Sequence, residues 1–391
     1  MMLPSLPGDA VRARCLETRL AKARAMMHRE RIDVLVAFGS GAHSFLAMNP
    51  AWYLSGFKPM GSYSAVVVAR DEVAFLITTP EWDAERAQEQ SAIEVLSAVP
   101  TDRFFDALSD ELRRRGLSQA YAASAGCERQ SHQIARSLQS LFARPLADCA
   151  PQLSRLARIR DEWSLACARR AAAIAEEGYE RLLSLVRHGV FEHEIAAETE
   201  GYIRSLGAED NFQLFSASQH NRSVKRPTWR RIAEGDVLLA EISPAVHGEY
   251  VQICRTAVLG TPSREQREAF DLLSEALRAG MRAALPGVPV AKVVAEMNAP
   301  IIAAGFRQYT VPPYMRTRGH SMGLGSMDPE IATASDQVLE QGVVFVMHPN
   351  QYLPATGYLM CGEPVRISTE GAEPLTSKLG HLRSIDVRES S

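Results

Sequence analysis

Three things are scarce in this 391-residue chain, and each scarcity removes a class of protein. Charge of one sign is scarce: the net charge is −3, which leaves no basic surplus for a nucleic acid or an anionic membrane. Long apolar runs are scarce too. Nowhere do eighteen apolar residues follow one another, so no membrane-spanning helix is expected. Residues 1–15 lack the apolar stretch after a basic start that marks a secretory signal, and a cytoplasmic location is the default expectation. Cysteine is the third shortage: Cys15, Cys127, Cys149, Cys167, Cys254 and Cys361 are scattered without a C-x-x-C pair. That pattern fits buried reduced thiols rather than a disulfide framework or a zinc knuckle. A glycine loop of the phosphate-cradling kind is absent, so nucleotide binding has no motif behind it.

What is present is a globular composition, 46% hydrophobic and 23% charged, on a chain long enough for two cores. Residues 11–32 carry apolar side chains at helical spacing, and residues 33–39 read as a buried strand. Two β-rich runs at 64–69 and 73–79 flank Arg70-Asp71-Glu72 as a hairpin. Helical stretches at 81–90, 103–116 and 129–142 alternate with short strands at 93–96 and 120–123. The alternation predicts an α/β domain over residues 1–150, with the boundary at 145–151. Beyond it, helices are expected at 161–186, 192–206, 264–285 and 290–304. Strands follow at 343–347, 364–367 and about 316–319, so residues 151–391 read as an α+β domain.

The second domain is organised around residues 235–256, two apolar strands joined near His247-Gly248. A turn centred between Val246 and His247 would set Glu241 directly across from Gln252. A buried carboxylate is unfavourable unless a cation or hydrogen-bond donors satisfy it, and the amide opposite is not a base, so the pair points to a ligand site. Three histidines also stand near apolar strand residues: His220 in the loop 217–229, His320 between nearby glycines, and His348 at the end of 343–347. Arg316 and Arg318 share a face if extended and would fork onto a substrate carboxylate. Cys254 and Cys361 have no adjacent base and read as inert thiols.

In these residues the chain resembles the creatinase/prolidase family, whose pita-bread domain is shared by methionine aminopeptidases, proline-specific peptidases and creatinases. The likeness is best over residues 156–376, and Trp52-Tyr-Leu-Ser-Gly-Phe57 is similar to the family's YLTGF segment. The family hairpin reads GD-x-x-x-x-D, ten residues, then D-x-x-R-T. Gly235-Asp236 and Arg255-Thr256 fall in that register, which puts Glu241 and Gln252 at the two metal-binding aspartates. Gly319-His-Ser-Met-Gly-Leu324 matches GHxxGL and puts His320 at the ligand histidine. His348 falls at a glutamate ligand, and Gly362, or Cys361 if the loop shifts, at the last glutamate. Met327 replaces a second histidine of the peptidases, and Val224 a histidine that creatinases carry before the hairpin.

The resemblance implies an α+β pita-bread catalytic domain preceded by a smaller α/β creatinase-type domain. Two ions about 3.5 to 4 Å apart need bridging carboxylates, so the altered ligands imply no metal and no other cofactor, as in the branch of creatinase and ectoine hydrolase. The expected function is metal-independent hydrolysis of an amidine, guanidine or amide C–N bond in a small cationic nitrogen compound bearing a carboxylate. His320, His348 and Glu241 would move protons, while Gln252, Arg316, Tyr314 and His220 would bind substrate. The alternatives are a lyase, isomerase or cyclase on the same fold, a mononuclear zinc peptidase-like hydrolase built on Glu241, His320 and His348, and an inactive binding protein. A homodimer is implied by the family, with neither nucleic acid nor membrane as partner.

Overall fold

Alternate residues of the central strands in the first unit, Pro7–Arg158, face different layers of helices. The computed structural model describes residues 3–41, 48–71, 74–96, 99–315, 317–322, 324 and 330–387. Its first unit runs α1 (Asp9–Glu30), β1 (Val34–Gly39), α2 (Pro50–Ser55), β2 (Ser64–Ala69), β3 (Phe75–Thr78), α3 (Ala84–Gln90), β4 (Glu94–Val95), α4 (Phe104–Arg114), β5 (Ala122–Ala125), α5 (His132–Gln139), β6 (Ala147–Asp148) and α6 (Ala150–Arg158). The strands form one sheet in the order β4-β3-β2-β1-β5-β6. Leu35, Ala37, Val66 and Val68 pack with Leu20, Met27, Leu54 and Leu153 of α1, α2 and α6. Val34, Val36, Val67 and Phe75 pack with Phe104, Leu108 and Leu112 of α4. Burial on both faces explains why these strands are continuous apolar runs. No element was expected at α2, which Asn49 caps by accepting from the Trp52 N–H at 3.1 Å, with Pro50 in the first turn.

The second unit takes in residues 3–6 and then the chain from Ile159 onward. It contains α7 (Glu162–Leu185), α8 (Glu192–Ser205), β7 (Asp210–Ser218), β8 (Val237–Val246), β9 (Glu249–Tyr250), β10 (Ile253–Leu259), α9 (Arg264–Ala283), α10 (Val290–Ala303), β11 (Gly319–Ser321), β12 (Val344–Met347), β13 (Gln351–Leu353), β14 (Gly357–Leu359), β15 (Glu363–Ser368), β16 (Gly371–Pro374) and β17 (Arg383–Ile385). One sheet has the order β17-β10-β8-β7 and a second the order β11-β12-β15-β16, while β13 and β14 form a small hairpin. Cys254 and Gly362 join the two sheets by exchanging backbone hydrogen bonds, each 3.1 Å. Gly178 lets α7 approach Ile203 of α8, where a Cβ would stand 2.7 Å from its Cγ1, and Ile242 meets the same site at 3.9 Å from one face of β8. On the opposite face Val237 and Leu239 enter a core with Leu273, Val293, Phe345 and Val365. The next residue along that face is Glu241.

The hairpin register differs from the expected one by two residues. His247 and Gly248 both have positive φ, 49° and 78°, so they are the central residues of the turn and the hairpin axis lies between them. Ala245 pairs with Tyr250 and Ile242 with Ile253, and Glu241 therefore faces Cys254 instead of Gln252. A slip of two residues preserves the face, so Glu241, Ser243, Gln252 and Cys254 stay on one side. The Arg-Thr pair fastens this hairpin to the next sheet: buried Arg255 meets buried Glu363 at 3.0 Å, and Thr256 Oγ1 donates to the Met360 carbonyl at 2.8 Å. Asp236 is likewise held by Arg230 at 2.6 and 2.8 Å. Among the described residues no helix is long and apolar enough to cross a membrane.

Candidate active site

Where the core face of β8 runs out, a cavity of about 720 Å³ opens. Glu241 and Gln252 line it from the hairpin, His320 from β11, His348 and Asn350 from the segment after β12, and Arg222, Ser223 and Val224 from the loop after β7. Tyr314, Tyr352 and Tyr358 complete much of the wall. Five residues expected at the site, Glu241, Gln252, Tyr314, His320 and His348, thus share one cavity.

Glu241 is the only acid among the described lining residues, and burial pushes its carboxyl up to about 7. No described cation pairs with it. Gln252 is buried behind it, accepting from Ser243 Oγ at 3.5 Å and donating to Cys254 Sγ at 3.4 Å. The rings of His320 and His348 meet edge to face, with centroids 5.4 Å apart. His320 Nδ1 lies 3.1 Å from the Ser321 carbonyl. A carbonyl only accepts, so Nδ1 carries the proton and Nε2 keeps its lone pair. Burial lowers the pKa of both imidazoles, and for His348, with His320 as the second cause, the value is about 3. Both rings are therefore neutral at pH 7. His348 Nδ1 is buried without a hydrogen-bond partner.

Other expectations are corrected by placement. Arg318 does not face substrate: it is fully buried, donating to Asn298 Oδ1 at 2.8 Å, the Asn350 carbonyl at 3.1 Å and Gln351 Oε1 at 2.8 Å. Its own carbonyl accepts from the His348 N–H at 2.9 Å, so Arg318 ties together the segments that carry the two histidines. Arg316 and Met327 lie outside the described residues. His220 supports the cavity wall without lining it, since its Nε2 contacts the Pro354 carbonyl at 3.0 Å and its ring stands against Tyr352. Val224 does line the cavity, so an apolar side chain occupies the position assigned to the creatinase histidine. Gly319-His-Ser-Met-Gly323 also spells G-x-S-x-G, but Ser321 is buried in β11 and donates to the Val344 carbonyl at 2.9 Å, which commits its hydroxyl. Arg222, Asn350, Tyr352 and Tyr358 were not foreseen. Asn350 and Tyr352 follow His348-Pro349 closely, and that proximity was a usable signal; Arg222 had only the basic run of its loop.

The donor set meets the requirements of a metal only in part. One carboxylate is available, and Gly362 has no room for another: a Cβ there would stand 2.7 Å from His348 Cβ and 3.0 Å from Cys254 Cβ. Two bridged ions need more than that. Two neutral imidazoles and a carboxylate do match one zinc ion with an open position, and the unsatisfied Nδ1 of His348 agrees with a ligand role. As the side chains stand, no three of His, Cys, Asp and Glu among the described residues close on a common point.

Comparison with known proteins places this geometry. Residues 166–371 match the model of metallopeptidase family M24, and residues 19–160 match the creatinase/prolidase N-terminal domain. The chain is 25% identical to the Xaa-Pro dipeptidase of Pyrococcus furiosus over 356 residues, covering 89% of this chain and 98% of that one. It is 24% identical to the Xaa-Pro dipeptidase of Pyrococcus horikoshii over 367 residues, covering 92% and 97%. The X-Pro aminopeptidase of Thermotoga maritima superposes with a TM-score of 0.80 at 22% identity, over 94% of this chain and 99% of that one. That likeness shows the fold, a creatinase-type unit followed by a pita-bread unit. The expected metal-independent hydrolysis of an amidine, guanidine or amide is overturned, because the matching family is one of metallopeptidases and these curated relatives are dipeptidases. The overturned reading took changed ligands for lost ones, although glutamate and histidine can themselves bind metal. With a match that spans more than half of its residues, the chain belongs to metallopeptidase family M24.

Proposed function

We propose that this chain is a peptidase-like hydrolase that cleaves the C–N bond of a short peptide with one metal ion instead of two, held by Glu241, His320 and His348. The observation that carries the reading is the meeting of one carboxylate and two neutral imidazoles in a single cavity of a metallopeptidase-family chain. A zinc ion bound there would supply Lewis acidity toward the scissile carbonyl and lower the pKa of water. His320 offers Nε2, because the Ser321 carbonyl holds its Nδ1 proton. Glu241 is the one carboxylate of the described lining and would enter the site ionised, as a ligand to the ion. Tyr314 and Tyr352 stack at 5.6 Å and give a flat surface for an apolar substrate group. The names of the relatives make Ala-Pro the first substrate to try.

The test joins elemental analysis to Ala-Pro hydrolysis after loading with zinc, manganese or cobalt. About one ion per chain is expected, with metal content lost in His320→Ala and turnover reduced about 100-fold or more in Glu241→Gln. Two ions per chain, or unchanged metal content in His320→Ala, would refute the single-ion site.

A further inference from the structure

We propose that Arg222 sets the specificity of this cavity by receiving a carboxylate of the substrate remote from the bond that is cleaved. The inference deepens the peptidase reading and rests on it. Arg222 and Glu241 are the only Arg, Lys, Asp or Glu residues among those described as lining the cavity, and the two do not pair. The Arg222 side chain is exposed and makes no hydrogen bond, ion pair or ring contact with any described residue. What distinguishes Arg222 from Arg226 of the same loop is its place on the cavity wall, while Arg230 and Arg231 just beyond the loop are engaged: Arg230 holds Asp236, and Arg231 donates to the Gly189 carbonyl at 2.7 Å and lies over the Phe191 ring at 3.9 Å.

The backbone beneath Arg222 is held on both sides. Asn221 is buried and its Nδ2 donates to the Val237 carbonyl at 2.7 Å and the Ser218 carbonyl at 3.2 Å. The Asn221 carbonyl accepts from the N–H of Tyr358, itself a lining residue, at 2.7 Å. This close approach requires Gly357, where a Cβ would stand 2.6 Å from that carbonyl oxygen. On the other side the Lys225 carbonyl accepts from the Phe215 N–H at 3.0 Å. The chain thus presents a free guanidinium from an anchored stem, and its planar fork of donors matches a carboxylate. Anchoring the stem in advance reduces what binding must order.

Steady-state hydrolysis of Ala-Pro and of its C-terminal amide by the metal-loaded enzyme tests the assignment. Wild type should prefer the free acid. Arg222→Met should raise KM for Ala-Pro about 10- to 100-fold, leave kcat within about twofold and abolish the preference. Arg222→Lys should keep part of it and Arg222→Glu reverse it. A wild type without preference, or a preference that survives in Arg222→Met, overturns the assignment. If wild type hydrolyses neither compound, the peptidase reading fails, and calorimetric binding of the same two compounds then decides on Arg222 alone. Tighter binding of the acid in wild type but not in Arg222→Met supports it; equal affinities, or no binding, overturn it.

Discussion

Glu241 stands where the apolar face of β8 gives way to the cavity, and that position makes its charge depend on pH near neutrality. In metal-stripped protein the unfolded carboxyl titrates near 4.5 and the folded one near 7, so between these values the folded state binds more protons. Stability is then highest below the unfolded value, falls as pH rises through the window and stays low above it. The difference is about 3 kcal/mol at most, at 1.36 kcal/mol per pKa unit. Urea unfolding at pH 5 and pH 8 checks this: Glu241→Gln should lose less stability than wild type between the two, and equal losses would assign the titration to other groups. Glu241, Gln252, His320 and His348 were legible in the sequence because each interrupts or ends an apolar strand. The tyrosine wall was not, because Tyr314, Tyr352 and Tyr358 come from separate segments and meet only after folding. Arg222 was not either, since a loop has no period to mark which side chain turns inward.

At the scale of elements, the long helices and the central strands follow from periodicity: the helix read at 264–285 is α9, and the apolar run from Val237 is β8. The turn was misplaced by one residue because His-Gly carries no strong hairpin signature, unlike Asn-Gly; positive φ at His247 is visible only in the fold. α2 was missed although Asn49-Pro50 spells a cap followed by a first-turn proline. Short strands such as β13, β14 and β16, three to four residues long, were missed because so few residues show no alternation. The joint between β10 and β15 yields a further prediction. Glu363 is fully buried and receives Arg255, Thr376 Oγ1 at 2.7 Å and the Gly380 N–H at 2.6 Å. Glu363→Gln leaves the Arg255 guanidinium buried without its countercharge and should lower stability by about 3 to 5 kcal/mol, read from the denaturant midpoint. The double variant Arg255→Met/Glu363→Met should lose less than Glu363→Gln does.

At the scale of the molecule, residues 7–158 bury both faces of their own sheet, through Leu35 and Val66 on one side and Val36 and Phe104 on the other. A fragment ending at Arg158 should therefore unfold cooperatively on its own, with one sigmoidal thermal transition by circular dichroism. A gradual, featureless melt would mean that this unit needs the rest of the chain. The close contact at Gly362 reaches further than stability. Its missing Cβ is opposed by the Cβ atoms of His348 and Cys254, atoms that every residue except glycine possesses. Exchanging His348 for glutamate would leave that obstruction in place, and adding a glutamate at position 362 would require the backbone of the β10–β15 joint to move apart. The absence of a second carboxylate at this place is thus written into the spacing of the main chain, so installing one takes a backbone shift as well as a new side chain.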